Sequence, residues 1–186
     1  MNKKYQLLEN DTIQENGQTL YRIQALQDIP GVVKKGELGG YVESESNLSH
    51  NGKCWVGGEA KVFGDALIYD NAQVFDNAEV SGNAWVYDNA QISDNAWVFG
   101  NALVSGDAWV YDNAQISDNA WVFDNTQILG DAKVYDNAQI SDNALVYGNA
   151  LVYGNAQVFH NAQIFGYARI RDNALIYDNA QVSGNA

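Results

Sequence analysis

From Ala60 onward the chain repeats a six-residue pattern of small, branched and turn-forming residues. Every sixth position from Ala60 to Ala186 is alanine, with Thr126 as the exception, and Val or Ile stands two places after each of these positions up to Ala180. Most units close with Asp-Asn or Gly-Asn. Alternation places the alanine and the branched residue on one side of a short strand, and Asp, Asn and Gly favour a sharp corner. The pattern therefore predicts an all-β chain of very short strands.

A period of six also predicts how these strands are arranged. Three units form a closed triangular coil of 18 residues, and successive coils stack as parallel strands roughly 4.8 Å apart. The period fits neither an α-helix nor the leucine-rich, ankyrin or tetratricopeptide repeats. We therefore predict a triangular prism of about seven to eight coils, filled by layers of Ala and Val or Ile.

Two segments of the chain resemble known proteins. The first is NAQVFDNAEVSGNAWVYD, which resembles the hexapeptide repeat of left-handed parallel β-helix proteins and implies left-handed coiling. The second is GELGGYVESESNLSHNGKCWV, residues 36–56, which is similar to the segment before the coils in phage- and prophage-encoded hexapeptide-repeat proteins. Some of those proteins are described as transferases and others as polymer-forming. This narrower resemblance implies a phage or prophage origin.

Residues 1–41 lack the repeat and are predicted to form a separate N-terminal β cap, while residues 42–186 form the left-handed β-helix. Within the cap, Tyr5–Leu8 and Thr19–Leu26 have strand composition, and Asn16-Gly17 is typical of a hairpin turn. A cap of this kind would cover the strand edges of the first coil. At the other end the sequence stops in mid-repeat at Ala186, so we expect an open last coil through which copies associate into a homo-oligomer.

The charge and composition of the chain limit the kinds of partner that it can bind. The 186-residue chain has a net charge of -13, which disfavours direct binding to nucleic acid or to an anionic membrane surface. Cys54 is the single cysteine, so an intrachain disulfide cannot form. The sequence contains neither a signal-peptide pattern nor an apolar run of about 20 residues. We expect a cytoplasmic protein that binds other proteins.

The candidate catalytic residues are few. Hexapeptide-repeat acyltransferases resemble one another in having a catalytic His and loops that leave the coils, whereas the repeats here have no insertion and the chain has two histidines, His50 and His160. Zinc-dependent relatives of that fold need three His ligands. Cys54 occupies an inward small position. We predict no catalytic residue, no metal site and no cofactor, although an acyltransferase-like site between subunits near His160 stays open as an alternative.

The outward residues identify two candidate surfaces when they are sorted by every third unit. One is an apolar face proposed to bind a partner: Leu67, Tyr69, Trp85, Tyr87, Leu103, Trp121 and Phe123. The other is an acidic edge, interrupted by Gly106 and His160: Asp70, Asp88, Asp124, Asp142 and Asp178. A contiguous apolar patch on a protein surface usually marks an interface. The acidic edge is most simply explained by aspartate as a turn-forming and solubilising residue.

Three hypotheses for function follow. The first is a non-enzymatic acidic β-helix that binds a protein, in one version an inhibitor of a host defence or nucleic-acid-binding protein. Residues 66–131 support it, because they hold 10 acidic residues, four of the five Trp, and no Lys, Arg or His. The second hypothesis is the acyltransferase-like enzyme, and the third is a self-assembling structural protein.

Overall fold

The computed structural model of the protein describes residues 3–185. The first strands are β1 (Tyr5–Glu15), β2 (Gln18–Ala25) and β3 (Leu38–Val42), followed by a 3-10 turn at Glu45–Asn47. The next strands are β4 (Trp55–Val56), β5 (Lys61–Val62), β6 (Leu67–Ile68), β7 (Gln73–Val74), β8 (Glu79–Val80), β9 (Trp85–Val86), β10 (Gln91–Ile92), β11 (Trp97–Val98), β12 (Leu103–Val104), β13 (Trp109–Val110) and β14 (Gln115–Ile116). The last are β15 (Trp121–Val122), β16 (Gln127–Ile128), β17 (Lys133–Val134), β18 (Gln139–Ile140), β19 (Leu145–Val146), β20 (Leu151–Val152), β21 (Gln157–Val158), β22 (Gln163–Gly166), β23 (Arg169–Ile170), β24 (Leu175–Ile176) and β25 (Gln181–Gly184).

These strands form three sheets. The first sheet has the order β1-β2-β3-β5-β8-β11-β14-β17-β20-β23, the second β25-β22-β19-β16-β13-β10-β7-β4, and the third β24-β21-β18-β15-β12-β9-β6. Strands three units apart pair in parallel, as Trp97 pairs with Gln115 and Val98 with Ile116. The predicted all-β prism of about eight coils is therefore confirmed, and its left-handed sense stays a prediction from the resemblance.

The interior of the prism contains the residues that the pattern assigns to it. The alanines from Ala60 to Ala162 are buried, as are the branched residues from Val62 to Ile170. Thr126, the exception to the alanine pattern, is also fully buried, and its hydroxyl donates a hydrogen bond of 2.7 Å to the carbonyl oxygen of Phe123. Its polar group therefore has a partner, which is why a single threonine is tolerated in an apolar column.

The corners depend on left-handed backbone and on side-chain ladders. Asp76 and Asp94, for example, have φ values of 60° and 59°. Asp and Gly adopt this region more readily than most residues. The asparagines that follow stack between coils, as where the Asn101 amide donates to Oδ1 of Asn119 at 3.0 Å. The repeated Asp-Asn and Gly-Asn pairs thus hold both the turn and the spacing of the coils.

The N-terminal hairpin is confirmed and is longer than predicted. β1 pairs antiparallel with β2 through the turn at Asn16 and Gly17, which have φ values of 49° and 82°. An irregularity between Leu8 and Thr12 lets β1 continue to Glu15. β3 then pairs antiparallel with β2 and parallel with β5, so one sheet joins the hairpin to the prism.

Side chains from the N-terminal segment donate to carbonyl groups at the start of the prism. Within the prism, each coil donates N–H bonds forward, as Trp85 N–H does to the carbonyl oxygen of Ala102. Carbonyls of the first coil therefore need other donors. Lys4 Nζ donates to the Cys54 carbonyl at 2.8 Å, the Tyr5 hydroxyl to that of Leu48 at 2.7 Å, and Arg22 Nη1 to that of Gly58 at 3.0 Å. At the opposite end, Ala186 lies outside the described residues, and the association of copies through the last coil stays a prediction.

Candidate protein-binding face

The residues predicted to bind a partner lie side by side on the third sheet. Each strand there has one outward residue followed by one inward residue, so outward residues 18 positions apart form a column. Trp85 pairs with Leu67 on one side and with Leu103 on the other, and Trp121 follows Leu103 in the next coil. The seven residues of the predicted apolar face are called the aromatic face from here on: Leu67, Tyr69, Trp85, Tyr87, Leu103, Trp121 and Phe123.

A second column of this face follows the inward residues and contains stacked rings. The rings of Tyr69 and Tyr87 lie parallel, with centroids 4.9 Å apart and planes 3° apart, and Trp85 meets Tyr69 edge-on at 6.3 Å. Burial, with smaller effects of Tyr87 and the neighbouring aspartates, raises the pKa of Tyr69 to about 12. The phenol is therefore neutral at physiological pH, and its ring contributes apolar surface.

The tryptophans of this face are exposed although the core does not require them. Trp85 and Trp121 are 44% and 47% exposed, while the inward positions beside them are filled by Val86 and Val122. Tryptophan is enriched in protein interfaces and among the residues that dominate their affinity. The two side chains are thus candidates for contact with a partner.

A cavity of about 270 Å³ lies between these tryptophan rungs. Leu103 and Ser105, which occupy the intervening coil, have smaller side chains than the rungs on either side. Its lining residues are Tyr87, Asp88, Leu103, Ser105, Gly106, Trp121, Phe123 and Asp124. The cavity therefore joins the aromatic face to the acidic edge, two surfaces that were predicted separately.

The acidic edge consists of corner residues in left-handed conformation. All five aspartates predicted for it have positive φ: Asp70, Asp88, Asp124, Asp142 and Asp178. The carboxylates of three of them, Asp88, Asp124 and Asp142, accept backbone hydrogen bonds from the next coil, as Asp124 Oδ2 does from Asp142 N–H at 3.3 Å. These side chains connect the corners of successive coils by hydrogen bonds, so charge alone does not explain their presence.

Gly106 and His160 interrupt the aspartate column in different ways. A Cβ atom at Gly106 would lie 2.6 Å from the backbone nitrogen of Asp124, so this rung lacks a side chain. His160 takes the place of an aspartate, and its Nδ1 lies 3.2 Å from Oδ1 of Asp178. The backbone N–H of His160 donates to Oδ2 of Asp142 at 2.9 Å. The histidine is therefore part of the corner ladder.

Comparison with known proteins agrees with this architecture. A family model described as the YdcK β-solenoid repeat matches the chain at residues 72–88, 96–112, 114–130, 138–153 and 146–159. The match and the three parallel sheets agree on a β-solenoid fold built of short repeats. None of the curated proteins matches it. The matched residues include Trp85 and Trp121, so the aromatic face is built on the solenoid repeats themselves.

The other tryptophans of the solenoid lie away from this face. Trp97 belongs to the first sheet and Trp109 to the second, and they are 48% and 47% exposed. Trp55 stands at an outward position of the repeat and pairs with Gln73 on the second sheet. It is nevertheless buried, because the N-terminal hairpin covers it and the Tyr5 ring meets it edge-on at 6.5 Å.

His50 and Cys54 lie at the junction between the hairpin and the solenoid. His50 Nδ1 accepts a bond from Lys4 N–H at 3.3 Å, its ring lies 4.4 Å from that of Tyr5, and its Nε2 is buried without a hydrogen-bond partner. Burial raises the pKa of the Cys54 thiol despite the nearby Lys4 ammonium, whose Nζ is 3.1 Å from Sγ. Sequence reasoning missed Lys4 because a lysine next to the N-terminus gives no pattern that indicates burial.

Two further observations bear on chemistry and location. In the part of the chain that the structure describes, His, Cys, Asp and Glu do not form any group of three or more that could hold a metal ion. Residues 3–185 also contain no helix of the length and apolarity needed to cross a membrane.

Proposed function

We propose that this solenoid is a non-enzymatic binding protein that holds a protein partner against its aromatic face. The observation that carries the proposal is the pair of exposed tryptophans on one sheet, Trp85 and Trp121, of which Trp121 also lines a cavity. Their positions are fixed by backbone pairing with Leu103 between them. A surface that is rigid before binding loses little conformational entropy when a partner docks.

The narrower proposal concerns the kind of partner. The resemblance of residues 36–56 to phage and prophage proteins supports an origin in a phage or prophage and a cytoplasmic location. An acidic surface suits a partner with a basic surface, such as a host defence protein or a nucleic-acid-binding protein. In this version the solenoid inhibits its partner by occupying the surface that normally meets nucleic acid.

The proposal is tested by affinity capture with two pairs of substitutions. The tagged protein, a Trp85→Ser/Trp121→Ser variant and a Trp97→Ser/Trp109→Ser variant are used to capture proteins from a lysate of the native cells. The second pair is the matched control, because its side chains are equally exposed on other sheets. We expect the partner to be lost with the first pair only. Retention of the same partner by the first pair would contradict a role for this face.

An acyltransferase-like activity at a site between subunits is the second candidate. The observation that favours it is His160, whose Nδ1 lies 3.2 Å from the Asp178 carboxylate, an arrangement in which a carboxylate can orient an imidazole. Calorimetry with acetyl-CoA tests it, since an acyltransferase must bind its donor. An absence of binding heat at millimolar acetyl-CoA, with identical behaviour of His160→Gln, would exclude this use of His160.

Self-assembly is the third candidate and concerns the ends of the solenoid. Among the described residues, β23, β24 and β25 each pair with a neighbouring strand on one side only, and such strand edges pair readily with another chain. Sedimentation velocity at increasing protein concentration distinguishes it from the first proposal. Growth beyond a dimer with concentration supports assembly, and a constant sedimentation coefficient contradicts it.

A further inference from the structure

The ring column of the aromatic face has a gap of one rung. Tyr69 and Tyr87 stack at 4.9 Å, which is the spacing of one coil, and Ser105 occupies the next position before Phe123 continues the column. The rings of Tyr87 and Phe123 are therefore separated by two coils, roughly 10 Å at the usual strand spacing. This distance leaves space for one planar group between them, above Ser105.

The acidic edge has its gap at the same rung. Gly106 follows Ser105, and the aspartates of the coils on either side are Asp88 and Asp124. Asp88 Oδ2 accepts a hydrogen bond from Gly106 N–H at 3.1 Å, which fixes the carboxylate at the rim of the cavity. In the described structure, Oδ1 of Asp88 and Oδ1 of Asp124 make no protein hydrogen bond. Both atoms are therefore acceptors that a ligand can use.

The charge around the gap determines which kind of planar group can bind there. Residues 66–131 include no Lys, Arg or His, so nearby residues of the chain do not neutralise these two carboxylates. A second copy of the same face would bring further carboxylates into contact with them, which is unfavourable. The guanidinium of arginine, by contrast, is planar, stacks on aromatic rings and donates to carboxylates through several N–H groups.

We propose that the gap between Tyr87 and Phe123 binds an arginine side chain of a basic partner segment, with Asp88 and Asp124 as the acceptors for its guanidinium. The proposal rests on the proposed function and specifies the chemistry of the partner. A lysine ammonium carries the same charge but is not planar, so it fills the gap less completely and binds more weakly.

The binding test uses a small probe and its uncharged isostere. Protein labelled with ¹⁵N is titrated with N-acetyl-arginine amide and, separately, with N-acetyl-citrulline amide, while the indole N–H signals are followed by NMR. We expect the Trp121 signal to shift in a saturable way with the arginine compound at millimolar concentration. Citrulline should bind at least tenfold more weakly, and the Trp109 signal on the second sheet should not saturate with either compound.

Three variants examine the parts of the site. Asp88→Asn with Asp124→Asn keeps the corner acceptors and removes the charge, and we expect affinity for the arginine compound to fall about tenfold. Asp94→Asn with Asp112→Asn makes the same change on another edge and should leave the affinity unchanged. Ser105→Tyr supplies the missing ring and, because Tyr69 and Tyr87 already stack in this column, should remain folded while binding is abolished.

The outcomes separate this inference from the proposed function. Equal binding of citrulline and arginine, or full binding by Ser105→Tyr, would overturn the arginine site. If the captured partner is lost with Trp85→Ser/Trp121→Ser but kept with Ser105→Tyr, the aromatic face binds protein without an arginine in the gap. If the partner survives every one of these variants, the proposed function itself fails.

Discussion

In both the N-terminal segment and the solenoid, the backbone N–H and carbonyl groups of the paired strands have hydrogen-bond partners, but the two regions differ in how these partners are supplied. In the solenoid each coil repeats the same contacts, so Val98 pairs with Ile116 much as Val80 pairs with Val98. A repeat protein of this kind has stability distributed over neighbouring units. A single substitution in the solenoid therefore removes only a small part of the total free energy of unfolding.

The N-terminal segment instead relies on a few contacts of different kinds. Arg22 alone donates to the carbonyls of Gly39 and Gly58, forms an ion pair with Glu59 and lies 4.2 Å from the ring centroid of Tyr41. Lys61 pairs with Glu15 across the same junction. Because none of these contacts is repeated elsewhere, each one should be more sensitive to substitution than its counterpart in the solenoid.

The largest effect is expected at Gly39, where β3 meets the first coil. A Cβ atom there would lie 2.4 Å from the carbonyl oxygen of Val56 and 2.5 Å from Cγ1 of Ile23, both within a packed region. We expect Gly39→Ala to lower the free energy of unfolding by about 3 kcal/mol or more, since overpacking against backbone has little room to relax. Urea unfolding followed by tryptophan fluorescence measures the change, because buried Trp55 reports on this junction.

Gly17→Ala is the matched control for that substitution. A Cβ atom at Gly17 would have no neighbour within 4 Å, although its φ of 82° still disfavours alanine. The cost should therefore be only about 1–2 kcal/mol, the price of a left-handed backbone. Equal losses for the two variants would mean that close packing at the junction is not the reason for Gly39.

The next effect concerns Lys4, the buried donor to the first coil. Lys4→Met removes the hydrogen bond to the Cys54 carbonyl, and a buried acceptor without a partner costs about 1–3 kcal/mol. Lys3→Met is the control, since Lys3 is exposed and its ion pair with Glu45 should contribute about 0–1 kcal/mol. A Lys4→Met protein as stable as the parent in urea would show that the cost of burying the ammonium cancels its hydrogen bonds.

The contrast between the regions also explains what the sequence could predict. The period of six fixes which residues face inward, so the three sheets and the column containing Trp85 and Trp121 follow from counting alone. The corner aspartates were predicted as turn formers for the same reason. Their hydrogen bonds to the next coil depend on the distance between coils, which a periodic sequence also supplies.

The N-terminal junction could not be predicted in this way. Lys4, His50 and Cys54 meet there although 46 and 50 residues separate Lys4 from the other two, and no periodicity connects them. For the same reason the repeat pattern alone places Trp55 at an outward position, whereas the structure covers it with Tyr5. The cavity was missed because its shape depends on the small size of Ser105 relative to the rings around it.

A pH titration is an independent test of the buried contacts at the junction between the N-terminal hairpin and the solenoid. Burial raises the pKa values of Tyr5 and of the Cys54 thiol, and burial lowers that of Lys4. A raised pKa gives stability that is complete below the unfolded value, about 8.5 for Cys and about 10 for Tyr, and that is lost as the pH rises above it. Lys4 acts in the opposite sense, because its burial cost disappears as the pH approaches about 10.4.

We expect the Cys54 thiol to lower the free energy of unfolding from about pH 8.5 upward and Tyr5 to add to the decline from about pH 10, with a slope of at most about 1.4 kcal/mol per pH unit for each group, while Lys4 offsets part of it. Cys54→Ala restores the alanine of the repeat and removes the thiol, so its decline should begin nearer pH 10. Urea midpoints at half-unit intervals from pH 7 to 11 measure both curves. Coincident curves for parent and variant would show that the thiol stays un-ionised or does not matter.

The smallest effect is expected at a single solenoid corner. Asp136 has a φ of 60°, and its Oδ2 accepts the Gly154 N–H at 3.0 Å. Asp136→Asn keeps both the left-handed preference and the acceptor and should be neutral, while Asp136→Gly keeps only the conformation. Asp136→Ala loses both, and we expect it to cost about 1–2 kcal/mol.

Far-ultraviolet circular dichroism during urea unfolding suits this series, because most of the strands belong to the solenoid. The order Asn, Gly, Ala in decreasing stability would show that conformation and hydrogen bond contribute separately at a corner. If Asp136→Ala instead costs as much as Gly39→Ala, the coils do not share stability among many equal contacts. The solenoid would then be as sensitive to a single residue as the junction that caps it.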